Sequence, residues 1–211
     1  MNRLVVATTN PGKVREIIGI LAGIEPRITL VALDQFPGLV EPEETGETYA
    51  DNARLKALYY AAATGLPAVA DDSGLEIDAL NNAPGVHSAR WYGTDYGVKF
   101  RKIYQLGGLG SPARFVCHVA LAEHGHVLFE STGIVHGRIA PEPKGTNGFG
   151  YDPIFFYPPF DCTLAELDLE RKATVSHRGW AFGALRDYLS RGPGLGARGS
   201  TMGHRTSESK S

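Results

Sequence analysis

The order of hydrophobic patterns constrains this 211-residue chain more than any single motif does. An apolar run, Arg3–Thr8, stops at Thr9-Asn10-Pro11-Gly12. Val14, Ile17, Ile18 and Leu21 then recur at i, i+3, i+4 and i+7. That is a strand, a turn and one face of a helix. Thr29–Ala32 repeats the strand. Thr48-Tyr49-Ala50-Asp51 reads as a capping box opening a helix to about Thr64, with Gly65 at its C′ position and Pro67 ending it. Pro67–Ala70 predicts a short strand with Asp71-Asp72-Ser73-Gly74 at its end. A loop-rich stretch, Asn81–Thr94, leads to a helix near 95–106. The pattern then changes. Ala113–Glu123 and His126–Arg138 are two strands around a turn at His124-Gly125. Asp152–Phe156 reads as a strand and Leu164–Glu170 as a short helix. Ser176 caps a last helix on which Ala181, Ala184, Leu185 and Tyr188 share a face. Strand–helix alternation followed by a hairpin implies an α/β fold on a mixed, not purely parallel, sheet.

Composition removes several classes of function. Hydrophobic residues are 43% and charged residues 21%, which fits a globular core and not a disordered chain or a coiled coil. Mean hydropathy is −0.15, and no run of about 18 apolar residues is present to span a membrane. The opening apolar stretch is too short for a signal peptide, and the two cysteines, Cys117 and Cys162, are too isolated for a disulfide framework or a thiolate metal site. A reducing cytoplasm is the expected location. A net charge of −2 argues against non-specific nucleic-acid binding. The cations beyond residue 190, Arg191, Arg198, Arg205 and Lys210, stand against Glu208 alone in a Gly/Ser-rich stretch. We therefore expect a single domain over 1–190 and a disordered tail over 191–211.

Five segments carry side chains able to do chemistry. Thr8-Thr9-Asn10-Pro11-Gly12-Lys13 joins a strand to a helix, where backbone amides, the helix dipole and a lysine favour an anion. It lacks the spacing of a Walker P-loop, and an ordinary turn with a solvated lysine fits it equally. Asp71 and Asp72 repel each other unless a cation is near, and strand alternation turns them to opposite faces. One would face a cleft and the other be tied into backbone hydrogen bonds. Carboxylates beside a phosphate site suit Mg²⁺, although capping aspartates in a Ser/Gly turn fit the same spacing. The acidic loop Glu41-Pro42-Glu43-Glu44 could complete a metal site or be a solvated loop. Lys144–Asp152 has glycines that admit a planar ligand and two aromatics, Phe149 and Tyr151, that either stack on a base or sit in the core. Lys172, His177 and Arg178 offer donors for phosphate or for purine carbonyls, or form a cap and a surface charge pair.

Together, in order and spacing, these segments are more specific. Ala7–Glu16, Glu44–Ala53 with Lys56-Ala57, Ala70–Leu75, Pro84–Trp91, Gly148–Phe155 and Ser176-His177-Arg178 resemble the inosine/xanthosine triphosphate pyrophosphatase family across residues 3–189. The resemblance implies two lobes around a central nucleotide cleft. It implies Mg²⁺-dependent cleavage of ITP, dITP and XTP between the α- and β-phosphates, giving a nucleoside monophosphate and pyrophosphate, and a homodimer. By the same resemblance Thr8, Thr9, Asn10, Pro11, Gly12 and Lys13 would hold the triphosphate. Glu44 and Asp72 would hold Mg²⁺, with Asp72 also the proton acceptor and Lys13 neutralising phosphate charge. Ser73 would touch the substrate, and Phe149, Gly150, Tyr151, Asp152, Lys172, His177 and Arg178 would shape the base pocket. The segment Tyr92–Arg114 is short beside that family. A Maf-type pyrophosphatase with another base preference, or an inactive purine-nucleotide sensor, are the alternatives.

Overall fold

The computed structural model describes residues 1–25, 27–191 and 201–202. Among the described residues eight strands form one mixed sheet, seven of them in the order β2-β1-β3-β4-β5-β6-β7. They are β1 (Arg3–Val6), β2 (Thr29–Ala32), β3 (Ala68–Ile77), β4 (Pro112–Glu123), β5 (His126–Ile139), β6 (Phe155–Tyr157) and β7 (Cys162–Thr163). β1 pairs in parallel with β2 and β3, and every later neighbour is antiparallel. The helices are α1 (Pro11–Leu21), α2 (Tyr49–Thr64), α3 (Tyr96–Gln105), α4 (Leu169–Val175) and α5 (His177–Arg191). Of the tail expected from residue 191, Arg191 closes α5, and Thr201–Met202 form β8 beside β5; the remainder lies outside the described residues.

Local chemistry sets the helix ends. Asn10 caps α1 by accepting from the amides of Gly12 and Lys13. Thr48 accepts from the Asp51 amide at α2, and Gly65, at φ 66°, ends that helix in the left-handed region. Two expectations are corrected by caps. Asp168 accepts from the Arg171 amide and starts α4 at Leu169, so the helix foreseen over Leu164–Glu170 is a 3₁₀ turn, Leu164–Glu166, followed by a separate helix. Pro153 holds Asp152–Ile154 in a 3₁₀ turn, and the strand begins only at Phe155.

The largest correction concerns β3. It does not end at Ala70. It runs ten residues to Ile77 because β4 pairs with it along its whole length, from Ala68 opposite Ala122 to Ile77 opposite Ala113. Asp71 and Asp72 therefore lie in mid-strand. Three apolar clusters surround them. Val69, with Leu4, Ile17 and Phe182, packs α1 and α5 on one face. Ala68 and Ala70, with Ala53, Ala57 and Tyr60, pack α2 on the other. Leu75 and Ile77, with Ile103, Phe115 and Phe155, build the far end. The two carboxylates sit where these clusters part, one facing each helical layer.

α5 presses close on β5 at Gly133. A Cβ there would stand 2.0 Å from the His177 carbonyl oxygen and 2.9 Å from the Ala181 nitrogen, both backbone atoms. Gly133→Ala is expected to cost about 1–3 kcal/mol by overpacking and to displace the first turn of α5. A urea midpoint equal to wild type would show that the helix yields freely.

Candidate functional site: a cleft between phosphate-like and base-like ends

A cavity of about 420 Å³ opens where the three clusters meet. It is lined by Thr8, Thr9, Asn10 and Lys13 from the β1–α1 turn, by Glu44, by Asp72 and Ser73 of β3, by Phe149–Asp152, by Lys172, and by His177 and Arg178. Pro11 and Gly12 are not in its wall. The folding of α1 explains this: Gly12 turns its α-carbon to Phe149, so that an added Cβ would meet the ring at 2.6 Å.

The two aspartates have different partners. Asp71 faces α1 and α5, where its Oδ2 lies 3.0 Å from Lys13 Nζ and 3.1 Å from Arg178 Nη2. Burial alone would raise its pKa, but Lys13, Arg178 and Lys56 outweigh burial and hold it well below the usual carboxylate range. Its partners are thus two cations and the Cys117 thiol, not the backbone hydrogen bonds expected. Asp72 faces α2. Its Oδ2 accepts from Asn52 Nδ2 at 3.0 Å and its Oδ1 from the Ser73 amide at 3.0 Å. Burial pushes its pKa up and Glu44 adds to that, against the pull of Lys56 and Lys13. Lys56 Nζ bonds the Glu44 carboxylate and lies 3.8 Å from Asp72 Oδ1. One cation position thus receives two hard carboxylates. Among the described residues no three His, Cys, Asp or Glu side chains gather as a metal cage. Two carboxylates with the remaining positions left to water and substrate oxygens suit Mg²⁺ and not a dedicated protein site. The residues present therefore fit that ion.

The expected anion cradle at α1 is altered by its own cap. The Asn10 side chain takes the amides of Gly12 and Lys13, Pro11 has none, and Val14 bonds the Asn10 carbonyl. An anion there would be received by the Thr8, Thr9 and Lys13 side chains.

At the other end, charge runs in an alternating chain. Lys172 Nζ bonds Asp152 and lies 2.6 Å from Glu16 Oε1; Glu16 Oε2 accepts from Arg178 Nη1 at 2.7 Å; Arg178 Nη2 reaches Asp71 and, at 2.8 Å, Ser73 Oγ. Arg178 and Lys172 are therefore buried structural cations, not the surface pair that was one reading of them. Burial raises Asp152, assisted by the charge of Glu16, while Lys172 and the Phe149 amide oppose it. Burial, with Arg178 and Lys172 beside it, holds His177 well below its ordinary value, so its imidazole is neutral. The His177 ring stacks on Phe115 at 4.6 Å. His177 Nδ1 and Arg178 Nε are buried without hydrogen-bond partners. Phe149 carries Lys172 and Arg178 over its ring, at 5.1 and 5.5 Å. Tyr151 is buried, with its hydroxyl donating to the Ser88 carbonyl at 3.0 Å, so its ring is both core and cavity wall.

Sequence reasoning assigned no role to Glu16, Asn52, Lys56 or Arg90. Asn52 and Lys56 are four apart, on the α2 face otherwise made of Ala53, Ala57, Tyr60 and Ala61. Glu16 is three residues from Lys13 on α1. Polar residues at helical spacing on an apolar face are the signal that would have found Glu16, Asn52 and Lys56; Arg90, in a turn, carries no such pattern.

Comparison with known proteins agrees with this geometry. The profile of the Ham1 family matches residues 4–188. The chain is 47% identical over 195 residues to the dITP/XTP pyrophosphatase of Geobacter sulfurreducens, covering 90% of this chain and 97% of that protein. It is 47% identical over 199 residues to the dITP/XTP pyrophosphatase of Thermus thermophilus, covering 90% and 93%. Among solved structures it resembles a HAM1 protein from Coxiella burnetii, with a TM-score of 0.79 and 39% identity over 91% of this chain and all of that one. The Ham1 protein of Staphylococcus aureus gives 0.78 and 35%, over 90% and 99%.

Proposed function

The chain belongs to the Ham1 family, and we propose that it hydrolyses non-standard purine nucleoside triphosphates, ITP, dITP and XTP, to the monophosphate and pyrophosphate. It is a hydrolase of triphosphate anhydride bonds, as its dITP/XTP pyrophosphatase relatives are named. The observation that carries the assignment is the division of one cavity. Carboxylates and lysines able to handle phosphate gather at one end. The aromatic ring of Phe149, with His177 and Arg178, stands at the other.

Glu44 and Asp72 would hold Mg²⁺, which when bound supplies charge neutralisation at the attacked phosphorus. Thr8, Thr9 and Lys13 bind the triphosphate side chain to side chain. Asp72, oriented by Asn52, would take the proton of the attacking water. Ser73, fixed by Arg178, borders the substrate. At the base end Phe149 offers a stacking face, with Gly150, Tyr151 and Asp152 forming the wall. At this end a purine C6 carbonyl would accept a hydrogen bond from a donor of His177 or Arg178. An amino group at C6, as in ATP, would leave that donor unpaired, and buried mispairing of this kind discriminates strongly. A homodimer and a cytoplasmic location are proposed with this activity. Among the described residues no helix is long and apolar enough to cross a membrane.

Pyrophosphate release from ITP, XTP, GTP, ATP and dTTP, with Mg²⁺ and with chelator, tests this. Release from ITP and XTP alone, abolished by chelator, is the expected outcome. Orthophosphate instead would place the cut at another bond. Tight ITP binding without any release would favour a sensor.

A further inference from the structure

Five cations line the cavity, and four of them are held in close ion pairs with carboxylates, although Lys13 keeps some exposure toward the cavity. The Lys172 and Arg178 side chains are 3% and 2% exposed and are bonded to Glu16, Asp152 and Asp71. Lys56, at 7%, lies between Glu44 and Asp72, and Lys13, at 16%, is held by buried Asp71. Arg90 differs. Its side chain is 50% exposed, and its ion pair, Nη1 to Glu44 Oε2, is a single long contact of 3.4 Å. Its other contact is Nη2 to His87 Nδ1 at 3.1 Å. Exposed pairs of this kind contribute little.

The backbone beneath Arg90 is the opposite. Ser88 Oγ accepts from the Leu75 amide at 2.9 Å and donates to the Gly85 carbonyl at 2.6 Å. The Ser88 carbonyl accepts from buried Lys99 and from Tyr151, and the Ala89 carbonyl from Lys99 at 2.7 Å. Gly74 of β3 lies so close that a Cβ there would stand 2.2 Å from the Gly85 carbonyl oxygen. A segment locked to β3, to α3 and to the base-side loop thus carries a half-exposed guanidinium held by two side-chain contacts.

The charge balance says what it would meet. Besides Glu44, the carboxylates Glu41 and Asp72 line the same end, and Glu44 feels Lys56, Lys13 and Arg90 together. A triphosphate arriving there adds several negative charges that the committed lysines do not match. A planar fork of N–H donors is the group best suited to two phosphate oxygens at once. We propose that Arg90 clamps the pyrophosphate portion of the substrate, leaving Glu44 as the nucleotide enters. This rests on the pyrophosphatase reading above and adds a residue to it.

The test is binding of inorganic pyrophosphate and of IMP to the wild-type chain, Arg90→Ala and Arg90→Lys, by calorimetry in chelator. The Mg²⁺ concentration for half-maximal turnover is measured alongside. Arg90→Ala is expected to weaken pyrophosphate by roughly 10–100-fold, the loss of one or two charge-assisted hydrogen bonds. IMP should bind unchanged, and Arg90→Lys should recover part of the loss. KM for ITP should rise together with the pyrophosphate constant. Equal pyrophosphate binding by wild type and Arg90→Ala would overturn the proposal. So would a shift in the Mg²⁺ requirement with pyrophosphate binding unchanged, because Arg90 would then merely position Glu44. Pyrophosphate binding is measured without turnover, so a wild-type chain that released no pyrophosphate from ITP would refute the activity separately from the clamp.

Discussion

Asp72→Asn is expected to lower kcat for ITP by about three orders of magnitude, the range lost with a principal acid–base or charge-stabilising group. The fold should survive it. Asn52 Nδ2 can still donate to the amide oxygen that replaces Oδ2, while the Ser73 amide loses its acceptor because an NH₂ then replaces Oδ1. Lys56 retains Glu44. The carboxylate being removed is one whose charge burial opposes and Glu44 repels, which is why its pKa is raised. Its neutral replacement relieves that burden but forgoes one acceptor, so a cost of about 1 kcal/mol is expected, small beside the loss of turnover, and stability and activity should separate at this residue. The measurement is a pair: steady-state turnover at saturating Mg²⁺, and the urea midpoint. Turnover within a few-fold of wild type would remove Asp72 from the chemistry. A collapse of both would mean that its contribution is structural.

The second large effect is the reverse, a loss of stability away from the reacting bond. Glu16 is buried, with Lys172 Nζ at 2.6 Å and Arg178 Nη1 at 2.7 Å. Burial would raise its pKa, yet Arg178 and Lys172 outweigh burial and lower it. Glu16→Gln leaves two buried cations with one carboxylate each, Asp152 and Asp71. Breaking such a buried network by one partner costs about 3–5 kcal/mol. Urea unfolding at neutral pH measures it, and a change below about 0.5 kcal/mol would show the network to be dispensable. The pH dependence gives a second reading. The folded pKa of Glu16 is depressed, so its contribution is fully present above the unfolded value and is lost as pH falls through the folded one. Wild type should lose this stability on acidification, and Glu16→Gln should show a shallower acid limb.

Both predictions concern charges on β3 or facing it, and they show how far local pattern reaches. Strand alternation is a local property, and it correctly turned Asp71 and Asp72 to opposite faces. It said nothing of how long the strand is, because β3 extends to Ile77 through pairing with β4, some forty residues later. The caps at Asn10, Thr48 and Gly65 were legible since each bonds within a few residues. The break at Asp168 was not, because Leu164–Glu170 reads as one short helix until the Asp168 side chain is seen to take the Arg171 amide. Tyr151 shows the same limit from the other side. One aromatic can serve a base pocket or a core, and only the Ser88 carbonyl and the Tyr96 ring, 5.1 Å away, show that it does both.

What the sequence by itself determined is the alternation of elements, the mixed sheet, the caps, and the set of residue types from which a triphosphate site can be made. Those follow from hydrophobic period and from side-chain bonds that span one helical turn. What only the tertiary structure decided is which charges are spent and which are available. Arg178 meets Asp71, Glu16 and Ser73 from more than a hundred positions away, and this turns an expected base-contacting donor into a buried brace with one nitrogen to spare. Arg90, by contrast, is half exposed and meets a carboxylate only at 3.4 Å. Composition cannot tell the two arginines apart. Burial and the carboxylates that long-range folding places beside each one do.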